Sequence, residues 1–281
     1  MPRRGWCCSV LGVGAALALA PPAQATPGVT YGGSSLVGDR LGANSVSIHH
    51  RADGSVVARI GTSVECDRKR FWTNLAFRVA SPPTAGAFTG SDDYRLTRRS
   101  RMTATINGTI SPTAVTGTIT LAFRDKLASC PPIPARPFTA RPRSDPAGAS
   151  SIPPAGTLRF RLTSQSTGGV LLPVALQVTP NGRRVNALWQ ATLRCGPRKV
   201  RFPLTNFSAR ARLRPDATFV RKERFVFRFD DGLRYRWRVV FRGRFTTDGA
   251  RGSLRARMQI TQPGKTFYPC SSGRHRWTAA A

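Results

Sequence analysis

The chain has 281 residues, with 44 Lys and Arg against 13 Asp and Glu, for a formal charge of +31. Apolar residues make up 40%, and 26 glycines and 22 prolines punctuate them. That mixture builds a core with many turns and excludes a collagen-like or wholly disordered polymer. No apolar run reaches the roughly 18 residues of a membrane-crossing helix, which argues against an integral membrane protein.

Residues 1–25 read as a secretory signal peptide. Arg3 and Arg4 open it, an apolar run follows from Trp6 to Ala20, and Ala23-Gln24-Ala25 supplies a small-x-small cleavage pattern. The mature chain is expected to start near Thr26, to be exported, and to carry no transmembrane segment. It keeps four cysteines, Cys66, Cys130, Cys195 and Cys270. An even count in an exported chain reads as disulfides.

Those cysteines sit in a tandem repeat. Asp53-Gly54 precedes Cys66 as Asn181-Gly182 precedes Cys195. Gly108 and Gly117 recur as Gly243 and Gly252 at an offset of 135, and Phe138-Thr139-Ala140 recurs as Trp277-Thr278-Ala279. The order of these landmarks predicts a first β domain over 26–141, a Pro/Ala/Ser-rich linker over 142–156 and a second, strongly basic β domain over 157–281. Four cysteines allow three pairings. If each copy folds alone, the pairs are Cys66–Cys130 and Cys195–Cys270.

Both copies are expected to be all-β. Phe207, Ala209, Ala211 and Leu213 alternate with Ser208, Arg210, Arg212 and Arg214. Phe225, Phe227 and Phe229 alternate with Val226 and Arg228, and Asp230-Asp231-Gly232 supplies a turn. Tyr235, Trp237, Val239, Phe241 and Phe245 continue the apolar face, followed by Leu254, Ala256, Met258 and Ile260. Strict period-2 alternation marks antiparallel strands with one buried face. Asn181-Gly182 between two apolar runs is a two-residue hairpin signal. The fold class is therefore two tandem antiparallel β-sandwich or barrel-like domains, each with one disulfide, and no helix in the mature chain.

Taken together, the Asp/Asn-Gly hairpin, first Cys, Gly…Gly hairpin, second Cys and Trp/Phe-Thr-Ala resemble an exported all-β module of high-GC actinobacteria. The resemblance covers nearly all of the mature chain. Its motifs are turns and staples, so it implies a fold and brings no function. The excess of 39 Arg over 5 Lys fits a GC-rich coding background.

Catalytic constellations are sparse. The three histidines are His49, His50 and His275, and no His-Glu-x-x-His or Gly-x-Ser-x-Gly occurs. His49 and His50 are neighbours in an expected strand, so they point to opposite faces and cannot converge on a metal. Asp92-Asp93, Asp230-Asp231, Glu65 and Asp67 are the carboxylates that stand near one another, and Glu223 reads as a strand-end charge. The reading is non-enzymatic, with no catalytic residue, metal or cofactor assigned.

Arginine carries the strongest signal. Outward positions in the second copy hold Arg210, Arg212, Arg214, Arg234, Arg236, Arg238, Arg242, Arg244, Arg255 and Arg257, with Arg224 and Arg228 between them. If the strands are neighbours in sequence order, these guanidinium groups pave one face, and such groups bind phosphate, sulfate and carboxylate in two-pronged fashion. From Thr26 to Asp145 there are 16 basic and 8 acidic residues, net +8; from Pro146 to Ala281 there are 26 and 5, net +21. Matching positions in the first copy hold Thr103, Thr105, Asn107, Thr109, Thr118 and Thr120. A threonine face suits strands and also orders water or sugar.

The sequence thus points to an exported, non-enzymatic pair of modules whose second copy binds anionic cell-wall polymer, acidic polysaccharide, an anionic lipid surface or extracellular nucleic acid. Two other readings stay open: a glycan-active hydrolase with dispersed carboxylates, and an adhesive or structural envelope protein without a soluble ligand. A solvated arginine coat that only prevents edge aggregation is the plain alternative to any binding role.

Overall fold

The computed structural model describes residues 28–37, 40–66, 69–79, 86–95, 100–125, 130–143, 148–154, 159–165, 171–196, 200–228, 232, 234–261, 264 and 269–280. The expected leader lies outside them. The first copy contributes β1 (Thr30–Val37), β2 (Arg40–His50), β3 (Val56–Cys66), β4 (Lys69–Val79), β5 (Ala87–Arg95), β6 (Ser100–Ile110), β7 (Val115–Asp125) and β8 (Arg136–Pro142). The second contributes β9 (Arg159–Gln165), β10 (Leu171–Val178), β11 (Arg184–Cys195), β12 (Val200–Leu213), β13 (Thr218–Arg228), β14 (Arg234–Thr246), β15 (Gly249–Thr261), β16 (Pro269–Ser271) and β17 (His275–Ala280). All strand pairs are antiparallel, and no helix occurs among the described residues.

Each copy curls on itself. The first sheet runs β4-β3-β2-β1-β8-β7-β6-β5, and the second runs β10-β9-β17-β15-β14-β13-β12-β11 and closes through β10–β11 pairing. β16 and β17 occupy successive stretches of one edge of β15, so they act as a single interrupted strand. The first sheet's edges, β4 and β5, meet through Tyr94, whose hydroxyl donates to the Ala76 carbonyl at 2.9 Å and accepts from the Ala76 N–H at 3.1 Å. Of the two architectures open to the sequence, the structure is barrel-like: the second sheet closes by strand pairing, and the first curls without a β4–β5 ladder among the described residues. First and last strands of a copy pair with each other, so each apolar core lies inside one curved sheet rather than between two.

The repeated glycines and aromatics are one packing device. Phe88, Gly108, Gly117 and Phe138 lie in register across four strands, and Phe219, Gly243, Gly252 and Trp277 do the same in the second copy. A Cβ at Gly108 would collide with the Phe88 ring and one at Gly117 with the Phe138 ring; Cβ atoms at Gly243 and Gly252 would collide with Trp277. Two adjacent glycines thus leave an interior slot, and aromatic rings from the flanking strands fill it. In the second copy Trp277 stacks on Phe241 with centroids 5.1 Å apart and on Phe219 at 6.1 Å.

The barrels pack side by side through matching strands, β1–β4 against β9–β12. Ser45, Ser47, Ala175, Gln177, Leu188 and Gln190 lie on the parity opposite each barrel's interior, yet all are buried. Small and polar residues here let the two sheets approach. Residues 148–151, within the expected linker, lie along the β14–β15 turn: Gly148 N–H donates to Asp248 at 3.1 Å, and Thr247 N–H donates to the Ala149 carbonyl at 3.1 Å.

Three local expectations change. The Asn181-Gly182 hairpin is present, but its loop is Pro180 to Arg183 between the bonded pair Thr179 and Arg184, with Gly182 at φ +68°. The expected alternation across 207–213 is broken. Phe207 pairs with Leu188 and Ala211 with Val185, because the register shifts at a bulge where Arg210 takes φ +59°. Glu223 lies mid-strand in β13 on the inward parity, where it accepts from Arg221 Nε at 3.1 Å, rather than at a strand end. β13 begins at Thr218, five residues upstream of Glu223 and seven upstream of Phe225, where the apolar alternation starts.

Of the expected disulfides, Cys195–Cys270 is formed. Cys130 is disulfide-bonded, and the Cys66 side chain lies outside the described residues.

Candidate anion-binding face

Strand parity builds the face. On β13, β14 and β15, Phe219, Tyr235, Trp237, Val239, Phe241, Leu254, Ala256 and Met258 turn inward, and the basic residues other than Arg221 turn out. The outward set is Lys222, Arg224 and Arg228 on β13, Arg234 to Arg244 at even numbers except Val240 on β14, and Arg251, Arg255 and Arg257 on β15. Glu223 is the sole acidic residue in these three strands, and it points the other way. All ten arginines singled out in the sequence are exposed.

Register decides how they meet. Arg224 lies opposite Arg238, Arg238 opposite Arg257, Arg257 opposite Ser271, and Ser271 opposite Arg194. This line crosses β13, β14, β15, β16 and β11. The next outward line is Val226, Arg236, Gln259 and Pro269. Between the two lines runs a groove of about 750 Å³, floored by the strands that carry Phe225, Trp237, Met258 and Cys270. The disulfide fastens the far end, since Cys195 and Cys270 are themselves opposite and lie one residue from Arg194 and Ser271.

A second groove of about 640 Å³ lies toward the other end of the barrel. Its walls are the lines Val220–Arg242–Ser253–Arg276 and Thr218–Arg244–Arg251–Thr278, over the Gly243–Gly252 pair. Arg242 Nε donates to Ser253 Oγ at 3.0 Å. Arg214 joins this groove, and Arg212 lies opposite Val220 on one side and Arg184 on the other. β12 meets β13 only at Arg212–Val220 and Leu213–Phe219, so Arg210, Arg212 and Arg214 extend one end of the face and do not adjoin Arg224 and Arg228.

Sequence reasoning missed Arg194, Arg251, Arg274 and Arg276. Arg251 keeps the parity of Arg255 and Arg257 and was legible from alternation. Arg194 belongs to a strand distant in sequence, and only the β11–β16 pairing brings it into line.

The same face of the first barrel is built from threonine. Thr105 lies opposite Thr120, Asn107 opposite Thr118 and Thr109 opposite Thr116. At the repeat offset of 135, Thr103, Asn107 and Thr109 become Arg238, Arg242 and Arg244. The charge difference between copies is therefore concentrated on this face.

Carboxylates and histidines do not converge. Arg101 donates to Asp93 Oδ1 at 2.7 Å, and this hydrogen bond and charge hold the Asp93 carboxyl below its usual range. Asp92 accepts from the Asp93 N–H at 2.7 Å. Asp67, Asp230, Asp231 and the Glu65 side chain lie outside the described residues. His49 Nδ1 pairs with the Thr30 hydroxyl at 2.8 Å, and burial pushes its pKa down; His50, on the opposite parity, is buried. No group of three His, Cys, Asp or Glu side chains suited to a metal occurs among the described residues.

No protein-family model matches the chain, and no curated protein matches it. Three solved structures do. A candidate outer membrane protein from Bacteroides fragilis is 8% identical with a TM-score of 0.23, over 90% of this chain and 95% of that one. A protein of unknown function from the DUF3598 family of Nostoc punctiforme is 8% identical with a TM-score of 0.21, over 91% and 96%. Kievitone hydratase from Nectria haematococca is 7% identical with a TM-score of 0.21, over 92% and 91%. At these values the likeness supports no functional assignment.

Proposed function

We propose that this is an exported protein that binds anionic polymers through the outer arginine face of its second barrel. One observation carries the reading: outward positions on three adjacent strands are basic in eleven places, and the one acidic residue of those strands faces inward. Like charges opposite one another cost stability. A sheet that only needs to stay soluble gains more from mixed charge. Guanidinium forks suit phosphate, sulfate and carboxylate groups. The Cys195–Cys270 disulfide supports an oxidising compartment. Apolar interiors and a charged exterior also reverse the pattern of a membrane-spanning barrel, whose apolar band faces lipid.

The test is binding of the full chain to a labelled polyanion across a salt series. Affinity is expected to fall on the order of 10³-fold or more between about 50 and 200 mM salt if six or more contacts form. Changing Arg234, Arg236 and Arg238 together to Gln is expected to remove much of the binding and leave the fold intact, because those side chains lie outside the core. Binding that resists salt, or that survives the triple change, would reduce the arginines to a soluble coat and move the adhesive reading ahead.

A further inference from the structure

The line Arg224–Arg238–Arg257–Ser271–Arg194 is more specific than a charged face requires. We propose that its groove binds a run of phosphate groups in a linear phosphate polymer laid across the strands. This rests on the anion-binding reading of the same face and narrows it to one ligand class and one line of residues.

Spacing is the first reason. Neighbouring strands lie about 4.8 Å apart, so guanidinium groups on β13, β14 and β15 repeat at that step, and the line spans roughly 19 Å to Arg194. A ligand that satisfies it carries closely spaced oxyanions along one axis. Ser271 fills the one position without a cation and offers a hydroxyl, and Gln259 offers an amide from the facing wall.

Chemistry of the wall is the second reason. Outward positions of β13–β15 hold Arg, Lys, Ser, Thr, Val and Gln, while Phe219, Tyr235, Trp237, Phe241 and Phe245 are on the inward parity. Single-stranded nucleic acid is held by aromatic platforms for its bases as well as by charge. Phe225 and Trp237 line only the floor of the groove, and no aromatic side chain among the described residues is exposed on this face, so it has the charge without projecting platforms. Recognition then falls on the anionic groups themselves, and tetrahedral phosphate oxygens accept the two parallel N–H bonds of a guanidinium fork.

Binding of the full-length oxidised chain to medium-chain inorganic polyphosphate, measured beside a single-stranded DNA oligonucleotide and heparin at equal charge concentration, tests this. Polyphosphate is expected to bind most tightly; tighter binding of DNA or heparin overturns the ligand class. Arg238→Gln with Arg257→Gln removes two charges from the line. Arg228→Gln with Arg234→Gln removes two from the same face outside the groove. The first pair is expected to weaken polyphosphate binding at least 10-fold more than the second, with unchanged melting behaviour. Equal losses overturn the groove and leave diffuse attraction, while absence of binding to all three polyanions overturns the underlying reading as well. Arg238→Lys with Arg257→Lys keeps the charge and removes the fork, and is expected to lose several-fold; unchanged affinity there also overturns the groove.

Discussion

Arg238 has cations on both flanks, Arg224 on β13 and Arg257 on β15, and this arrangement has an energetic signature. Removing the central charge relieves repulsion, so Arg238→Gln is expected to raise stability at low salt by roughly 0.3–1 kcal/mol while weakening polyanion binding. Denaturant titrations at about 10 and 200 mM salt check this, and the gain should shrink as salt screens the charges. Tyr94 is the residue-scale feature of the first barrel. Burial pushes its hydroxyl up to about 12 from 10.0. The unfolded chain releases that proton first, so stability is expected to fall as pH rises from about 10 to about 12. Tyr94→Phe should flatten that alkaline slope and, by deleting both bonds to Ala76, cost about 1–2 kcal/mol at neutral pH. Equilibrium unfolding at several pH values reads both effects.

At the scale of elements, the glycine pair and the disulfide each secure a strand. Gly252→Ala would drive a methyl into the Arg242 carbonyl and the Trp277 ring. It is expected to destabilise by at least about 2–3 kcal/mol, the usual cost of overpacking, in chemical denaturation. Gly249, at the start of the same strand, lies outside this slot. β16 is only three residues long, and the Cys195–Cys270 bond ties it to β11. Closing a separation of 75 residues corresponds to roughly 4 kcal/mol on the chain-entropy estimate. Cys195→Ala with Cys270→Ala is expected to lose stability of that order, and to lose polyanion affinity as well, since β16 carries Ser271 and aligns Arg194.

Across the whole molecule, the two barrels share a strand order and a glycine–aromatic slot and differ most in the chemistry of the β6–β7 and β14–β15 outer faces. Interior slots, hairpins and strand order correspond between the barrels, and the surfaces of β6–β7 and β14–β15 diverge from threonine to arginine. The two barrels meet through their matching first four strands, which leaves β13, β14 and β15 away from the contact. Among the described residues, the main contacts between the barrels lie away from the arginine face. Grafting arginine at Thr103, Asn107 and Thr109 should leave the first barrel folded, because those side chains are not in its core. It should also give that barrel a salt-sensitive affinity for polyanions, measurable in a chain whose second face has been neutralised.

Alternation alone assigns which side chains face in and which face out on β13, β14 and β15, because that depends on a two-residue period internal to each strand. The spacing of the landmarks offers Cys195–Cys270 as one of the pairs expected if each copy folds alone, and that bond is formed. The sequence by itself left sandwich and barrel open, since both present the same alternation. Pairing between strands far apart in the chain, β1 with β8, β9 with β17 and β10 with β11, chose the barrel. The same long-range register placed Arg194 in line with Arg224, Arg238 and Arg257, turned a list of arginines into two grooves, and set the bulge at Arg210 that interrupts β12. Glu223 is the clearest case. Its inward parity matches that of Phe225, but its mid-strand place beside Arg221 follows from the full length of β13, whose upstream end packs through Phe219 against Phe241, Phe245 and Trp277. Local pattern sets the face of a residue; the free energy of the assembled core sets its neighbours.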